Sequence, residues 1–517
     1  MVRNNLLLLY FLLLSVVSVA QYEMTPVNPY SKFQQLKHYN DSSVFNRSIY
    51  FVPLLVENEA ATEIKNYNSR VMKFLRNKHF VELNDTTLTL FADPFVNFSG
   101  TQQGDTSFSG NSRGLIFRGK LSEKFYFMSA AVENQVYYPW YMRQYIAGKN
   151  VIPGLGRYKN FKEKGTDYAF AFGQIYWIPL KSLTVEAGHG KQFIGDGYRS
   201  LILSDFSSFY PFLKFTHTFG KFQWIHMYTA FQSVKREDSR LLVYQRSHGS
   251  FTSLAYSFSE KLKISATESV IWQTYGPGYN NRFPAAFFIP VPFVKPLYYG
   301  MSDPNNISIG LTASWRPVYS VMLYGQFLLD DFSKQHATDS LGIYNRNGYQ
   351  TGIRIIEPFK IENLFLLGEY NNVRPYTYAS SISRQSYTGM NEPLAHPLGA
   401  GFSEWVFNGH YRYRSLFVTA SWIRASTFKD SPDTNFGTNI SKPDTTATLA
   451  SAITIQPSPA VIFNYTIELG YMINPRYNFI LSAGYRYRNY DYNFSDDKTE
   501  FFYIKLSTQL INLYNDF

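Results

Sequence analysis

The feature that most constrains this chain is a period-two alternation of apolar and polar side chains over most of its length. Four segments show it most clearly: 404–414, 464–473, 479–488 and 502–510. In the first of them, Tyr411 and Tyr413 alternate with Arg412. Because successive side chains of a β-strand point to opposite faces, each segment predicts a strand with one apolar and one polar face. From about Leu88 onward the chain is therefore predicted to be all-β.

Two all-β architectures are compatible with this pattern, a soluble sandwich and a transmembrane barrel. Beyond the N-terminal region, no stretch approaches the ~18 consecutive apolar residues of a membrane-spanning helix. The apolar faces are rich in Tyr and Phe, and aromatic residues make up 18% of the chain. A sandwich core would favour Val, Ile and Leu, whereas aromatic girdles are typical of outer-membrane barrels. The polar faces carry basic residues that we predict to face a hydrated lumen: Arg412, Arg414, Arg486 and Arg488.

The alternation therefore predicts a transmembrane antiparallel β-barrel in the bacterial outer membrane, with a small N-terminal helical extension. Residues 1–20 have the basic start, apolar run and small-residue cleavage site of a signal peptide. Residues 21–85 are predicted to be periplasmic and partly helical, and residues 86–517 to form the barrel. At roughly 10 residues per tilted strand plus connections, this length fits ~16–18 strands.

Residues 60–80 predict an amphipathic helix within the N-terminal segment. Its apolar residues fall three or four positions apart, and Lys and Arg lie between them. A basic amphipathic helix can lie on a membrane surface, but such a stripe more often packs on the core of its own protein. We expect packing here, for the apolar residues Ile64, Tyr67, Val71, Phe74 and Leu75.

Composition and motifs argue against several classes of function. The net charge of +11 is spread thinly, since only 17% of residues are charged, and this disfavours a nucleic-acid partner. Cysteine is absent, which removes disulfides, thiolate metal sites and cysteine nucleophiles. The chain contains neither a Gly-x-Ser-x-Gly elbow nor a His-Glu-x-x-His motif. We therefore expect no enzyme activity, no cofactor and no metal site.

Two unusual segments are candidates for a functional site. Residues 188–200 contain four glycines within ten residues, which indicates tight turns or close backbone approach. This segment is either an inward-folded loop that braces the barrel or a polar lumen site. Residues 275–293 contain four prolines and form a long loop, whose aromatics and Arg282 either line a sugar-binding surface or close the barrel mouth. Both pairs of alternatives stay open.

The first segment, extended to 188–205 (GHGKQFIGDGYRSLILSD), resembles the signature of the Wzi-type capsule-assembly family. The closest likeness is to its Bacteroidetes RemB-like branch, which takes its name from a gliding-motility protein. Further segments that resemble the family are 281–288 (NRFPAAFF), 324–332 (YGQFLLDDF), 368–378 (GEYNNVRPYTY) and 393–399 (PLAHPLG). Phe193 and Tyr198 stand where enterobacterial members are expected to carry tryptophan, so the identity of the ligand does not transfer.

The resemblance implies an outer-membrane barrel of about 18 strands that retains capsular polysaccharide in a lectin-like, non-catalytic role. Expected partners are capsular or other surface polysaccharide, outer-membrane lipid or lipopolysaccharide, and motility or envelope proteins. A porin for anionic solutes and a structural part of gliding or secretion machinery are the alternatives. The residues expected to bind polysaccharide are His189, Lys191, Phe193, Asp196, Tyr198, Arg199 and Arg282.

Overall fold

The structure is a computed structural model that describes most of the chain beyond residue 68. The described residues are 22–24, 51–52, 55–57, 69–236, 244–273, 289, 291, 293–294, 305–331, 344–430, 435–445, 457–492, 495–508 and 510–517. The predicted signal peptide, the first part of the predicted helix and Arg282 lie outside them.

Within these residues, eighteen antiparallel strands close into a barrel, which confirms the predicted fold class. Closure pairs every strand with two neighbours, so the wall has no open sheet edge to expose to lipid. The strands are β1 (Leu88–Gln103), β2 (Thr106–Leu121), β3 (Phe125–Tyr137), β4 (Gly165–Leu180), β5 (Leu183–Gly190), β6 (Tyr210–Phe219), β7 (Phe222–Arg236), β8 (Tyr244–Ser257), β9 (Leu262–Trp272), β10 (Asn306–Val318), β11 (Val321–Asp331), β12 (Arg346–Ile356), β13 (Leu364–Val373), β14 (Phe402–Tyr413), β15 (Leu416–Lys429), β16 (Ser458–Asn474), β17 (Phe479–Tyr492) and β18 (Ser495–Ser507).

The two ends of the barrel differ in the length of their connections. At one end, two-residue turns such as 220–221, 319–320 and 414–415 join consecutive strands. Connections at the other end include the much longer segments 138–164 and 374–401. Outer-membrane barrels have short periplasmic turns and long extracellular loops, so the end where every connection is short is the periplasmic end.

The alternation fixes which side chains face outward. Leu469, Phe502 and Ile504 are 60–66% exposed, whereas Ser482 on the opposite face is 2% exposed. Tyr485 pairs with Phe502 across the β17–β18 ladder, which places it on the same outer wall. These exposures and pairings agree with the predicted register at these strands. The physical reason for the register is that a slip of one residue would bring Arg and Lys onto the lipid-facing side.

Three of the four predicted lumen arginines lie on the inner face, and the fourth does not. Arg412 shares the inner face of β14 with Glu404, and Arg486 and Arg488 lie on the inner face of β17. The prediction for Arg414 is wrong, because β14 ends one residue earlier and Arg414 forms part of the following turn. Arg414 is exposed, with φ of 56°.

The barrel seam uses both ends of the chain. β18 pairs with the upper part of β1 and stops at Ser507, three residues before the predicted end of the last strand. The lower part of β1 pairs instead with the short strand Val81–Asn84, so the sheet begins before the predicted boundary at residue 86. Residues 508 and 510–517, the C-terminal tail, turn into the lumen, where Phe517 is buried. The terminal aromatic residue is therefore not a wall residue.

Several short elements complete the structure. Helix α1 (Arg70–Asn77) lies at the periplasmic end, and helix α2 (Trp140–Lys149) lies in the connection after β3. Among the residues that the structure describes, no helix is long and apolar enough to cross a membrane. The short strands are Tyr22–Met24, Phe51–Val52, Leu55–Glu57, Lys159–Phe161, Phe193–Ile194, Thr388–Gly389 and Glu392–Pro393, and the short 3-10 turns are Pro358–Lys360 and Ser383–Gln385.

The prediction that the apolar stripe of α1 packs on the protein core is wrong for its described residues. Val71, Phe74 and Leu75 are all exposed. The polar side of the helix contacts the barrel instead, as Arg76 donates a hydrogen bond to Ser415. The first two residues of the predicted stripe, Ile64 and Tyr67, lie outside the described residues.

Single-cysteine labelling tests the register, since the chain has no native cysteine. We expect a maleimide dissolved in the lipid phase to label Leu469→Cys and Ile504→Cys, whose side chains face outward. Ser482→Cys on the inner wall should stay unlabelled in folded protein and react after heating in detergent. Equal labelling of Ser482→Cys and Ile504→Cys in the folded protein would contradict the register.

Candidate functional site in the lumen and at its rim

Within the described residues, four segments enter the lumen and fill it. They are α2 with the loop after it, residues 191–208 (which we call the plug segment), residues 374–401, and the C-terminal tail. On the side of β1–β4 the inner wall is apolar, and its side chains pack with those of the entering segments into a hydrophobic core. The lumen is thus partly a protein interior rather than the wholly polar space expected from the sequence. Members of this core include Phe95, Ile116, Ile146, Ile152, Phe170, Phe172 and Leu510.

The plug segment leaves the wall after β5 and passes close to β11. Gln326 on β11 binds it on two sides: Nε2 donates to the Ile194 carbonyl at 3.0 Å, and Oε1 accepts from the Leu201 N–H at 2.8 Å. Gly195 lies between these contacts with φ of 138°, and a Cβ there would collide with Gln326 Nε2. Glycine is required at this position both by the backbone conformation and by the close approach.

Arg199 is the centre of a buried charge cluster. Its guanidinium forms ion pairs with Glu404 on β14 (Nη2 to Oε1, 3.1 Å) and with Asp516 in the C-terminal tail (Nη1 to Oδ1, 3.2 Å). His396 Nε2 lies 2.7 Å from the second oxygen of Glu404. Charges removed from water are costly unless they are paired, so these groups depend on one another. The cluster joins the plug segment, the wall and the tail.

Glu369 on β13 holds the backbone of the plug segment. Its two carboxylate oxygens accept the N–H groups of Tyr198 (2.7 Å) and Arg199 (3.1 Å). The Tyr324 hydroxyl donates to the same carboxylate at 2.8 Å. A Cβ on Gly197 would meet a Glu369 oxygen, so the second glycine of this stretch is also needed for close approach. These contacts fix the direction of the Arg199 side chain.

The C-terminal tail is held by two inward-facing arginines of β17. Arg486 Nη1 donates to the Asn515 carbonyl at 3.1 Å, and Arg488 Nε donates to a Phe517 backbone oxygen at 3.1 Å. From the tail, the Tyr514 hydroxyl donates to Asp205 of the plug segment at 2.7 Å. These predicted lumen arginines therefore bind protein groups, because the tail occupies the space where water was expected.

Lys191 and Glu392 form a second buried polar group. Lys191 Nζ donates to the Asp205 carbonyl at 3.0 Å, and both oxygens of Glu392 accept the Gly154 N–H at 3.0 and 3.1 Å. Burial lowers the pKa of Lys191 to about 8 and raises the pKa of Glu392 to about 8. Both residues are buried, so both act in packing the lumen.

Most of the predicted polysaccharide-binding residues lie close together, but inside the filled lumen. Phe193, Asp196 and Arg199 are buried, as is Lys191. Asp196 accepts a hydrogen bond from Ser314 Oγ at 3.0 Å, and Tyr198 bonds to Asp516. Of the two interpretations of this segment, its contacts favour the inward-folded loop that braces the barrel.

His189 does not join this group. β5 extends to Gly190, so it includes the first three residues of the 188–200 segment, and Glu186 on its inner face pairs with Lys214 at 2.7 Å. Three positions further along the same strand, His189 points outward and is exposed. The prediction that it belongs to a polar lumen site is wrong, because the longer strand fixes its face.

An accessible aromatic and basic surface lies at the extracellular ends of β15 and β17. The rings of Tyr490 and Tyr492 are half-buried and nearly parallel, with 17° between their planes and 6.3 Å between centroids. The exposed Lys429 places Nζ 3.7 Å from the Tyr492 ring centroid. We call Lys429, Tyr490 and Tyr492 the rim triad. Sequence reasoning missed it, although both tyrosines continue the inner-face alternation of Arg486 and Arg488.

Several solved outer-membrane barrels are similar to this chain in fold. It superposes on Wzi of Escherichia coli, described as an outer-membrane protein involved in group 1 capsule assembly and as a carbohydrate-binding β-barrel. The TM-score is 0.55 at 14% identity, over 94% of this chain and 99% of that one. The chain has the fold of an outer-membrane β-barrel.

Weaker similarities are to other outer-membrane barrels. OccAB2 of Acinetobacter baumannii has a TM-score of 0.43 at 10% identity, over 81% of this chain and 97% of that one. OprD of Pseudomonas aeruginosa has a TM-score of 0.41 at 9% identity, over 83% of this chain and 97% of that one. No protein-family model and no curated protein matches the sequence.

Removing the central cation tests the charge cluster. Arg199→Met leaves Glu404 and Asp516 buried without their partner, which should cost roughly 3–5 kcal/mol and lower the temperature at which the compact band disappears on gels. Arg113→Met is the control, since its ion pair with Glu133 is more than half exposed and should contribute about 0–1 kcal/mol. Equal effects of the two substitutions would show that the cluster does not hold the plug.

Proposed function

We propose that this outer-membrane barrel binds surface or capsular polysaccharide at its extracellular rim and thereby retains it at the cell surface, without catalysis. The observation that carries the proposal is the rim triad, which offers two nearly parallel tyrosine rings and a cation at the outer mouth. Tyrosine rings bury apolar area at little entropic cost, and sugar C–H groups present such a surface. Lys429 would attract the uronate or phosphate groups of an acidic polysaccharide.

The filled lumen supports surface binding over diffusion through a pore. Residues that would line an open channel are instead engaged in contacts with the plug segment and the C-terminal tail. The similarity to Wzi, described as carbohydrate-binding, adds support for polysaccharide as the ligand and for capsule assembly as the process. Membership of the Wzi-type family and of its RemB-like branch belongs to the same proposal.

In this proposal the plug segment acts by positioning rather than by contact. Lys191, Phe193, Asp196 and Arg199 are engaged with protein groups and would shape the wall beneath the ligand. Tyr198 would act in the same way through its bond to the tail. Direct polysaccharide contact by Arg282 stays a prediction.

Substitutions in the rim triad test the binding site. Tyr490→Ala combined with Tyr492→Ala should weaken binding of purified protein to polysaccharide from its host by about tenfold, since two stacking contacts contribute together ~1–3 kcal/mol. Lys429→Gln should weaken binding of acidic polysaccharide and reduce its dependence on salt. The control is Tyr413→Ala, an exposed tyrosine near the periplasmic end.

In each case, unheated gels should show the compact barrel band, so that a loss of binding is not a loss of folding. Unchanged binding by the double tyrosine variant would rule out the rim triad as the site. Full binding by that variant together with loss in an Arg282→Gln variant would move the site to the predicted 275–293 loop.

Single-channel recording separates surface binding from transport. In planar bilayers the intact barrel should show little steady conductance, because the plug segment and the C-terminal tail occupy its lumen. A variant truncated after Ser507 should conduct more, since it loses Asp516 and the groups bound by Arg486 and Arg488. Large, steady, anion-selective currents from the intact protein would favour the porin alternative.

A further inference from the structure

Helix α1 presents an apolar face that the described protein covers only in part. Val71 is 65% exposed, Phe74 44% and Leu75 43%. At 100° per residue, these side chains and Met72 occupy one side of the helix, and Lys73 and Arg76 occupy the other. A contiguous exposed apolar surface on an ordered helix marks a site of contact with another apolar phase.

The helix is anchored by its C-terminal end to the periplasmic turns. Arg476 Nε donates to the Asn77 carbonyl at 3.3 Å, and Asn474 Nδ2 donates to the Lys78 carbonyl at 2.9 Å. These bonds satisfy carbonyls that an isolated helix would leave without a partner. The residues that follow the helix are therefore bound to the β16–β17 turn.

A buried triad secures the same junction to β1 and β2. His79 Nδ1 lies 2.7 Å from Asp93 Oδ2, and Arg118 Nη2 lies 3.1 Å from the same oxygen. The other oxygen of Asp93 accepts the Phe80 N–H at 3.0 Å. All of these contacts lie C-terminal to the helix or on its polar side, so the apolar face is held outward rather than left free to turn inward.

The helix lies beside the lipid-facing wall. The Arg76 guanidinium lies 5.0 Å from the ring centroid of Tyr471, which shares the outer face of β16 with the exposed Leu469. Val81 and Leu83, just after the helix, pair with outward-facing Ala92 and Leu90 of β1 and are also exposed. The helix therefore lies on the outer side of the barrel at its periplasmic end, next to the bilayer.

We infer that α1 is an interfacial helix that lies in the periplasmic leaflet of the outer membrane, with phospholipid as its partner. Val71, Phe74 and Leu75 enter the boundary between headgroups and acyl chains, which buries their apolar area. Lys73, on the opposite side, reaches the phosphate groups of the lipids, while Arg76 stays bound to Ser415. The inference goes beyond the proposed function, because it concerns the lower end of the barrel.

Site-specific fluorescence tests this placement in proteoliposomes of phosphatidylethanolamine and phosphatidylglycerol. Phe74→Cys and Lys73→Cys each carry a single environment-sensitive label in a chain without native cysteine. We expect the label at 74 to emit at shorter wavelength and to be quenched roughly twofold more by doxyl-lipid than the label at 73, which iodide should quench instead. Ile504→Cys provides the lipid control, and the exposed Lys498→Cys provides the aqueous control.

Each single label replaces one exposed side chain, so folding should be preserved, and the compact band on unheated gels checks it. Iodide quenching at 74 equal to that at 73 would overturn the inference by placing both faces in water. Protection of 74 from both quenchers would also overturn it, because the apolar face would then be covered by protein rather than by lipid.

Discussion

An eighteen-stranded barrel encloses more space than its own inward side chains can fill, and the rest of this structure depends on how that space is occupied. The ion pair between Arg199 and Glu404 lies at the centre of the segments that occupy the lumen. It connects a segment that crosses the lumen to the strand that forms its wall. Arg199 also pairs with the carboxylate of Asp516, which brings the C-terminal tail into the same cluster.

Buried ion pairs of this kind are weak sources of net stability, because desolvation offsets much of the Coulomb attraction. Their value here is specificity. A tail with apolar and aromatic residues could pack in several ways in an apolar lumen, but only one arrangement pairs Asp516 with Arg199 and places Asn515 and Phe517 on the arginines of β17. The hydrophobic core beside β1–β4 buries apolar surface of the entering segments. The ion pairs and hydrogen bonds of the tail select one arrangement of it in the lumen.

Filling the lumen divides the molecule into three functional zones. The middle is a protein interior, the outer rim offers accessible aromatic and basic side chains, and the periplasmic end has a helix with an exposed apolar face. A ligand as long as a polysaccharide suits the outer rim, since it needs an extended accessible surface rather than an enclosed cavity. The residue types of the plug segment resemble a binding site, but their partners lie within the protein.

The sequence by itself determined the wall of this protein. Period-two alternation predicted the strands, and the cost of charge in lipid fixed their register, so that Arg486 and Arg488 could be placed inside and Tyr485 outside. The glycines of the 188–200 segment likewise predicted close backbone approach, which the contacts of Gly195 and Gly197 explain.

Only the tertiary structure decided what those inner side chains bind. Arg199 meets Glu404 and Asp516 across separations of 205 and 317 residues, and no local pattern encodes such pairings. The exact ends of the strands could not be predicted from the sequence either. The extension of β5 to Gly190 turned His189 outward, and the end of β14 placed Arg414 in a turn. Alternation depends only on neighbouring residues of one strand, and it can therefore be recognised in the sequence. The contents of the lumen result from long-range packing, which the sequence pattern does not record.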